Sequence, residues 1–454
     1  MPYTSLNPAT GEIMKTFPDW DARQLQDSLT LAGAAQSQWR LTLFDQRAAV
    51  LRRAAAELRR GVAEYAALIT LEMGKPIREA RTEVEKCALA CDYYALNGAQ
   101  FLQDEPVESD AGSSYVAYVP LGVVLAVMPW NFPFWQVFRA AAPALMAGNG
   151  MVLKHASNVP QCALAIERIF RIAGLPENIF TTLMIASGQV ADVIKSEAVQ
   201  AVTLTGSESA GRAVAALAGQ QLKKCVLELG GSDAFVVLRD AALENAATAA
   251  VASRFLNGGQ SCIAAKRFIL VPEIADEFVR LVIPKIEALI VGDPLQENTQ
   301  IGPMARRDLR DELHRQVIDS IAQGATPLLG CQPLDGAGAY YLPSLIDRIT
   351  PQTRAWSEEL FGPVAMVIRA GSEEDALRIA NDSRFGLGSS LWSRDTARAE
   401  HLSRDIQAGC CFINGMVKSD PRLPFGGIKA SGFGRELSYH GIREFTNAKT
   451  VWVK

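Results

Sequence analysis

The chain has 454 residues, of which 49% are hydrophobic and 21% are charged, and its formal net charge is −4. Because one hydrophobic core stops growing at roughly 250 to 300 residues, two or three domains of an ordinary soluble globular protein are expected. No block of like charges and no apolar run of membrane-spanning length occurs, so neither nucleic acid nor a membrane is predicted as a partner.

The first part of the chain is predicted to be mostly helical. The segment 1–12 has no basic stretch followed by an apolar one, so no secretory signal is predicted. Within residues 20–105, Ala, Leu, Arg and Glu recur at helical spacing, most clearly in 46–65 and 77–96. A turn-rich stretch then leads into a β-prone segment at 115–119, which could be a hairpin leaving the domain body.

From Leu121 onward, short apolar strands alternate with helices. The strand candidates are 123–128, 151–154, 179–184, 201–204 and 223–229. Parallel strands need crossover connections, so this alternation predicts a parallel, doubly wound sheet. After Gly230 a second such series begins, with strands at 235–238, 267–271 and 364–368. We therefore predict a domain boundary near Gly230 and a closing β-prone tail at 445–454.

Polar residues follow several of the predicted strands, at the sheet edge where ligands of such folds bind. Trp130 and Asn131 follow the first strand, and Lys154 ends the second. The turn that contains Gly206 and Ser207 leads from a strand into a helix, where free amides and the helix dipole favour an anion. This turn is not Gly-x-Gly-x-x-Gly, so a generic helix start is an equal alternative.

One cysteine, Cys262, stands behind a Gly-Gly pair and directly after an apolar run that is predicted to be a buried helix. A free thiol is mostly protonated at neutral pH, so it needs an activating environment before it can act as a nucleophile. By itself Cys262 is more simply explained as a small buried apolar residue. Glu228 ends an apolar strand, where burial would raise its pKa toward that of a base, although a structural carboxylate paired with Arg or Lys is the alternative.

The other cysteines and the histidines indicate no metal or disulfide chemistry. Eight cysteines without a short-chain disulfide pattern fit reduced thiols, and a cytoplasmic location is expected. The four histidines have no zinc-type spacing to the cysteines, so no metal site is predicted. A thiol, a carboxylate and the Asn131 amide together are the parts required for acyl chemistry with an oxyanion.

Motifs in a fixed order connect these residues to a known family. They are Leu227-Glu-Leu-Gly-Gly-Ser-Asp-Ala234, the stretch from Phe255 through Lys266, Trp130-Asn-Phe-Pro133, Glu359-Leu-Phe-Gly-Pro363 and Pro424-Phe-Gly-Gly-Ile-Lys-Ala-Ser-Gly432. With them the chain resembles the aldehyde dehydrogenase superfamily along nearly its whole length. Within that superfamily it is most similar to the succinate-semialdehyde dehydrogenases.

The resemblance implies an α/β fold with two Rossmann-like doubly wound domains and a small β oligomerisation arm. The cofactor-binding domain would comprise 1–107 and 125–229, and the catalytic domain 230–443. The arm would comprise 108–124 and 444–454. A homodimer or homotetramer is expected, because an exposed β-prone pair would otherwise be an aggregation risk.

The resemblance also implies a reaction sequence. The Cys262 thiolate attacks an aldehyde, and the Asn131 side chain and the Cys262 backbone N–H hold the oxyanion. Hydride then leaves to the nicotinamide, which produces a thioester, and Glu228 activates the water that hydrolyses it. Two rival functions use the same scaffold: a CoA-acylating enzyme, which generally lacks this glutamate, and a non-catalytic protein similar to lens crystallins. The presence of Cys262, Glu228 and Asn131 together favours hydrolysis and catalysis.

For the cofactor, the resemblance assigns ribose contacts to Lys154 and Glu359 and the nicotinamide end to Phe361. It places Trp130 along the cleft and the Gly206–Ser207 turn against the pyrophosphate. NAD-preferring relatives usually carry a glutamate three residues after the lysine, where this chain has Ser157. A carboxylate there would repel a 2′-phosphate, whereas a serine can donate a hydrogen bond to it. NADP is therefore expected, with NAD possible; a helix-start serine indifferent to the phosphate is the alternative.

For the substrate, Arg139 and Ser419 match positions that bind the carboxylate in succinate-semialdehyde dehydrogenases, which implies oxidation of succinic semialdehyde to succinate. Arg139 could equally pair with a structural acid. Some members carry an arginine six residues before the cysteine, where this chain has Leu256, so the carboxylate clamp is incomplete by that pattern. Lys418 or Arg422 could substitute. Another short semialdehyde or an aliphatic aldehyde is the alternative substrate.

Overall fold

The computed structural model describes residues 3–454. Up to residue 120 the chain forms an N-terminal hairpin, four helices and two strands that leave the helical body. In chain order they are β1 (Tyr3–Leu6), β2 (Ile13–Phe17), α1 (Ala22–Trp39), α2 (Phe44–Arg60), α3 (Val62–Met73), α4 (Ile77–Phe101), β3 (Glu105–Pro106) and β4 (Ser113–Pro120).

Strands and helices then alternate up to residue 228. This series is β5 (Val123–Met128), α5 (Trp135–Ala147), β6 (Gly150–His155), α6 (Pro160–Ile172), β7 (Phe180–Thr182), α7 (Val190–Lys195), β8 (Val199–Thr205), α8 (Glu208–Gln220) and β9 (Lys224–Glu228).

A second alternating series fills most of the remaining chain. It comprises β10 (Asp233–Val237), α9 (Leu243–Phe255), β11 (Ala265–Leu270), α10 (Ala275–Glu287), α11 (Arg307–Ala322), β12 (Thr326–Leu329), β13 (Ser344–Asp347), α12 (Arg354–Ser357), β14 (Val364–Arg369), α13 (Glu373–Asn381), β15 (Gly388–Trp392), α14 (Thr396–Ser403), β16 (Cys410–Ile413), β17 (Gly432–Phe433), α15 (Ser438–Glu444) and β18 (Thr446–Val453).

The first large sheet has six strands in the order β17-β9-β8-β5-β6-β7. Apart from β17, which runs antiparallel to β9, its neighbouring strands are parallel. The chain builds outward from β5 in one direction through β6 and β7, and in the other through β8 and β9. The order therefore reverses between β5 and β8, and ligands of open α/β sheets bind at such a switch point, beyond the carboxyl ends of the strands.

The second large sheet has seven strands in the order β12-β13-β14-β11-β10-β15-β16. Its neighbours are parallel except for the edge pair of β12 and β13. The six-stranded sheet has a hydrophobic core on each of its faces, and the seven-stranded sheet packs against its own helices around a separate core. The predicted α/β fold with two doubly wound sheets is confirmed.

A third sheet joins the two segments that were predicted to form the arm. Strand β18 pairs antiparallel with β4 along its whole length, from Thr446 opposite Pro120 to Val453 opposite Ser113. The arm was predicted to begin at residue 108, but β3 already pairs with β4. Similarly, β17 joins the six-stranded sheet although it lies within the predicted catalytic range. The domain bounds themselves stay a prediction.

Within residues 3–454, no helix has the length and apolar character needed to cross a membrane.

Candidate active site

A tight turn carries Cys262 from the end of α9 to the start of β11. Residues 256–259 form one 3-10 turn in which Asn257, Gly258 and Gly259 all have left-handed backbone conformations, with φ of 56°, 59° and 73°. At Gly259 a Cβ atom would lie only 2.2 Å from the Gly362 carbonyl oxygen. Glycine is needed there both for the positive φ and for this close approach.

Hydrogen bonds from three parts of the chain hold this turn. The backbone N–H of Asn257 donates to Glu79 Oε2 of α4 at 2.7 Å. The Asn257 side-chain amide donates to the carbonyl oxygens of Asn131 at 2.8 Å and Gln260 at 3.0 Å. Asn257 is therefore the residue that ties the segment after β5 to the segment before Cys262.

Asn131 follows β5 and is only 4% exposed. Its side-chain amide donates to Gln260 O at 3.1 Å, and its Oδ1 accepts from Gln136 Nε2 at 3.1 Å. Because Gln136 engages the oxygen, the amide NH₂ of Asn131 faces the Cys262 segment, an orientation that is assigned from this network. One of its two hydrogens remains available for an oxyanion.

Glu83 of α4 fixes the start of α5, just after Asn131. Its Oε1 accepts the backbone N–H groups of Phe134 and Trp135, both at 2.9 Å. Its other oxygen pairs with Lys75, which is fully buried. Since free N–H groups at a helix start need acceptors, this carboxylate anchors the segment that carries Asn131.

Cys262 opens onto a cleft of about 280 Å³ at the switch point of the six-stranded sheet. The predicted site residues that line it are Trp130, Asn131, Gly206, Ser207, Cys262, Glu359 and Phe361. The rings of Trp130 and Phe361 meet edge-on, with centroids 5.8 Å apart. Thr205, the first residue of the predicted anion-binding turn, also lines the cleft, as does Gln136, which sequence reasoning missed.

The surroundings of Cys262 favour the protonated thiol. Burial raises its pKa to about 12, and the charges of Glu359 and Glu228 act in the same direction. Arg139 and Lys266 oppose them. Lys266 reaches the loop directly, since its ammonium donates to the carbonyl oxygens of Ser261 at 2.7 Å and Cys262 at 2.8 Å.

Glu228 ends β9, and its side chain is buried at 2% exposure. Burial raises the pKa of this carboxyl well above its usual range, and the neighbouring Glu436 adds to the increase, while Arg139 and Arg435 oppose it. Within residues 3–454, neither carboxylate oxygen makes a well-formed hydrogen bond, although the backbone N–H of Gly427 lies close enough to lower the pKa somewhat. Glu228 therefore has the environment of a proton acceptor rather than that of a paired structural acid.

Arg139 of α5 lies in the same buried group but away from the cleft lining. It forms an ion pair with Glu436, and both side chains are nearly inaccessible. It also donates to Thr205 Oγ1 at 3.2 Å and lies over the Phe425 ring. The structure thus gives Arg139 the acid partner that was the alternative to its predicted substrate contact.

Glu359 lies across the cleft and is held from two sides. Its Oε1 is 3.0 Å from the Lys266 ammonium and accepts the Gly231 N–H at 3.3 Å. At Gly230 a Cβ atom would lie 2.4 Å from Glu359 Oε2, so the cleft wall requires glycine there. Because Gly230 has no side chain, a cofactor hydroxyl could approach the Glu359 carboxylate from the cleft.

Lys154 and Ser157 lie outside the cleft lining. Lys154 is buried, donates to the carbonyl of its neighbour His155 at 2.7 Å, and has its pKa lowered to about 8 by burial. Ser157 is exposed and lines a second cavity of about 660 Å³, together with Asn158, Arg306 and Arg307. Its hydroxyl is therefore accessible to a ligand beyond the cleft.

Ser419 lies in the segment after β16 and is 6% exposed. Its Oγ accepts from Lys86 Nζ at 2.7 Å and from Trp135 Nε1 at 3.1 Å. The structure therefore places Ser419 beside α4 and the start of α5. Lys86, Lys266 and Glu436 were missed from the sequence, because no local pattern sets them apart from other charged residues on helices, strands and loops.

Comparisons with known proteins agree with this geometry. Residues 1–451 match the model of the aldehyde dehydrogenase family. A Synechocystis protein named as a probable NADP⁺-dependent succinate-semialdehyde dehydrogenase is 51% identical over 453 residues, covering 100% of both chains. An Escherichia coli NAD(P)⁺-dependent succinate semialdehyde dehydrogenase is 49% identical, covering 99% of this chain and 97% of its own.

Solved structures show the same overall fold. Succinic semialdehyde dehydrogenase from Streptococcus pyogenes, in complex with NADP⁺, superposes with a TM-score of 0.97 at 38% identity and 99% coverage of both chains. Gox0499, a protein studied for its cofactor and substrate selection, superposes with a TM-score of 0.99 at 41% identity and 100% coverage of both chains. With a family match across nearly all residues and the Cys262 cleft in place, the chain belongs to the aldehyde dehydrogenase family.

Proposed function

We propose that this protein oxidises succinic semialdehyde to succinate with NADP⁺ and that Cys262 carries the acyl group. The observation that carries the proposal is the full-length identity of 51% with a relative named for this reaction. The cleft supplies the matching chemistry, because a thiol and an amide donor line it and an unpaired buried carboxylate lies close enough to act on the thiol electrostatically.

Cys262 is the nucleophile in this proposal. Its thiolate attacks the aldehyde carbon, and the negative charge that develops on the oxygen is stabilised by the free hydrogen of the Asn131 amide and by the Cys262 backbone N–H. Gln136 and Asn257 keep this arrangement in place, since one holds the Asn131 side-chain oxygen and the other the Asn131 carbonyl. Such preorganised donors lower the barrier because they need no rearrangement during the reaction.

Glu228 is the base for hydrolysis. Both of its oxygens are free of well-formed hydrogen bonds within residues 3–454, so either can accept a proton from water. Its raised pKa makes it a stronger base than an ordinary carboxylate. The base deprotonates the water that attacks the thioester on Cys262, and the carboxylic acid leaves. A hydrolytic base also distinguishes this enzyme from one that transfers the acyl group to CoA.

The residues of the cleft fit a dinucleotide. Ser207 caps the start of α8 at the switch point, where free amides favour a pyrophosphate. Glu359, opposite Gly230, suits the nicotinamide ribose, and Trp130 and Phe361 form an aromatic wall. When bound, NADP⁺ supplies the acceptor for the hydride of the aldehyde. We assign the adenosine ribose to Lys154 and the 2′-phosphate to Ser157, whose hydroxyl is exposed.

For the substrate carboxylate, we propose Ser419 as a direct contact. Arg139 would need to open its ion pair with Glu436 to bind the carboxylate itself. In the closed pair, Arg139 acts by its charge, which lowers the pKa of Cys262.

We further propose that β4 and β18 form the oligomerisation arm of a homodimer or homotetramer. Trp452 and Val453 of β18 are about half exposed, which would leave an apolar β edge open to solvent in a monomer. All eight cysteines are free thiols, which supports a reducing cytoplasmic location. Size measurement by light scattering and cell fractionation test these two points; a monomer or a secreted protein would contradict them.

An aldehyde panel tests the proposed function. Formation of NADPH is followed by absorbance with succinic semialdehyde and with butanal, each with NADP⁺ or NAD⁺ and with or without CoA. We expect the highest kcat/KM for succinic semialdehyde with NADP⁺ and no dependence on CoA. A CoA requirement, or no oxidation of either aldehyde, would contradict the proposal.

The variant Ser157→Glu tests the cofactor assignment within the same panel. A carboxylate at this position would repel the 2′-phosphate, so kcat/KM with NADP⁺ should fall at least about tenfold relative to that with NAD⁺. A clear preference of the wild-type protein for NAD⁺ would contradict the role of Ser157.

A further inference from the structure

We propose that Lys86 supplies the positive charge that binds the terminal carboxylate of the substrate, together with the hydroxyl of Ser419. This inference rests on the proposed function and names the residue that selects an anionic aldehyde. Lys86 lies on α4, more than 300 residues before Ser419 in the chain. The two are brought together only by the fold.

Three side chains from distant elements converge at this point. Lys86 Nζ donates to Ser419 Oγ at 2.7 Å, and the indole N–H of Trp135 donates to the same oxygen at 3.1 Å. The Lys86 ammonium also lies 4.2 Å from the centre of the Trp135 ring. We refer to Lys86, Trp135 and Ser419 as the ammonium cluster.

The hydroxyl of Ser419 is left as an unused donor. An ammonium and an indole N–H can only donate, so both contacts use the Ser419 oxygen as acceptor. No acceptor for the Ser419 proton is present within residues 3–454 among the hydrogen bonds of this side chain. Leaving a donor unpaired in a site this buried costs free energy, which a carboxylate oxygen from a ligand would recover.

The charge of Lys86 is also uncompensated. Across residues 3–454, no carboxylate oxygen lies within 4.0 Å of the Lys86 nitrogen. The two carboxylates whose charges raise the pKa of Lys86 each form an ion pair with another cation. Glu83 pairs with Lys75, and Asp420 pairs with Arg422 at 2.6 Å. Burial, followed by the positive charge of Arg139, lowers the pKa of Lys86 to about 8. An incoming anion would stabilise this ammonium.

Arg139 differs from Lys86 in this respect. The Arg139 guanidinium is engaged by Glu436 in an ion pair, so it would have to leave that partner before it could bind an anion directly. Position 256 is Leu256, which is 39% exposed and contributes no charge. Arg422, one of the two residues that could substitute in the clamp, pairs with Asp420, and the other, Lys418, is exposed. Lys86 is therefore the cation in direct contact with the Ser419 hydroxyl whose charge is available to a ligand.

The ammonium cluster is not part of the cleft lining but is linked to the reacting centre through α5. Trp135 directly precedes Gln136, whose side chain holds Asn131 beside the Cys262 segment. Arg139, one helical turn after Trp135, acts electrostatically on both Lys86 and the Cys262 thiol. The cluster and Cys262 are thus arranged around the first turns of α5. In this proposal, a short substrate with an aldehyde at one end and a carboxylate at the other, such as a four-carbon semialdehyde, contacts Cys262 and the ammonium cluster with its two ends.

The test compares two four-carbon aldehydes, one anionic and one neutral. Lys86→Met keeps a long apolar side chain against Trp135 and removes the charge. We expect KM for succinic semialdehyde to rise about 10- to 100-fold, the range for loss of a charged hydrogen bond, while KM for butanal changes less than about threefold. Lys285→Met, at a surface lysine paired with Glu244, is the matched control and should change neither value.

The outcomes separate this inference from the proposed function. If the wild-type protein does not prefer succinic semialdehyde to butanal, the proposed substrate is wrong. If the wild type has that preference but Lys86→Met leaves KM for succinic semialdehyde unchanged, or raises KM for both aldehydes equally, the role of Lys86 is wrong. Butanal activity also reports that the variant is folded. Ser419→Ala should change the two KM values in the same sense as Lys86→Met, by a smaller factor.

Discussion

Two glutamates near Cys262, Glu228 and Glu359, have the same side chain in opposite environments. Glu228 is 2% exposed, lacks a well-formed hydrogen bond within residues 3–454 and lies near a second buried acid, Glu436. Glu359 lies in the cleft, 3.0 Å from the Lys266 ammonium, and accepts the Gly231 N–H. Glu228 therefore has no fixed hydrogen-bond partner, whereas Glu359 is paired with Lys266.

The difference shows that the environment of a carboxylate determines its chemical role. An isolated buried carboxylate favours its protonated form and so accepts a proton readily, which suits a base. A carboxylate fixed by a cation and an amide has a set position and a spare oxygen, which suits the binding of hydroxyl groups. We therefore expect substitutions of Glu228 and Glu359 to impair different stages of the reaction.

The largest expected effect is that of Glu228→Gln. Loss of a general base typically costs about 10²- to 10⁴-fold, so steady-state turnover of succinic semialdehyde should fall by that range. The first turnover should still release NADPH in a rapid burst, because the attack by Cys262 and the hydride transfer precede the hydrolysis. Stopped-flow absorbance measures both phases. Equal loss of the burst and of the steady state would show that Glu228 acts before hydrolysis.

Alkylation of the cofactor-free protein tests the surroundings of the thiol. With a Cys262 pKa of about 12, the thiolate fraction grows about tenfold per pH unit, so the rate of reaction with iodoacetamide should rise about 100-fold from pH 7 to pH 9 without a plateau. The charge of Glu359 raises this pKa, so Glu359→Gln should accelerate alkylation several-fold. Because the pKa of Glu228 is itself raised to about 8, Glu228→Gln should accelerate alkylation at pH 9 but only weakly at pH 7. A plateau below pH 9 would contradict the account. Peptide mapping restricts the measurement to Cys262.

A smaller effect is expected from Glu359→Gln. Glutamine keeps an oxygen near Lys266 but loses the charged pair, so kcat/KM for NADP⁺ should fall about tenfold, the cost of one charged hydrogen bond. The loss should appear in the burst phase and in the KM for NADP⁺, while the hydrolysis that follows remains intact. If Glu359→Gln instead slowed hydrolysis and left the burst normal, Glu359 and Glu228 would act at the same stage, and the assignment of separate roles to them would be wrong.

Much of the site could be predicted because its parts follow strands or lie within one short segment. Asn131 follows β5 and Gly206 follows β8, and the carboxyl ends of these adjacent parallel strands meet at one edge. Cys262 stands in a contiguous motif whose glycine turn is required by the approach to Gly362. The order of the motifs then identified the family, which the comparisons confirmed.

The partners of these residues could not be predicted in the same way. Glu436 and Lys266 acquire their importance from packing between segments that are far apart in sequence. In the sequence, nothing distinguishes Lys86 of α4 from an ordinary solvent-facing lysine on a helix, and its contact with Ser419 exists only after the chain has folded. Helical spacing predicts α4 but does not reveal which of its polar residues point at another element.

Two elements show why parts of the fold were also missed. The helix α11 was not predicted, although its sequence contained a usable signal. Its apolar residues Leu309, Leu313 and Val317 stand at helical spacing. Strand β15 has the sequence Gly-Ser-Ser-Leu-Trp, in which only the last two residues are large and apolar. It is nevertheless buried along its whole length, between β10 and β16. Its hydroxyls are satisfied by neighbouring backbone carbonyls, which only the assembled sheet provides.

The central claim is that Cys262 carries the acyl group and that Glu228 drives its release. The most direct measurement is peptide mass spectrometry of Glu228→Gln after mixing with succinic semialdehyde and NADP⁺. The account predicts a succinyl group on the peptide that contains Cys262, in close to one copy per chain, with release by hydroxylamine as expected for a thioester. An unmodified Cys262 alongside a full NADPH burst, or a succinyl group on another residue, would contradict it.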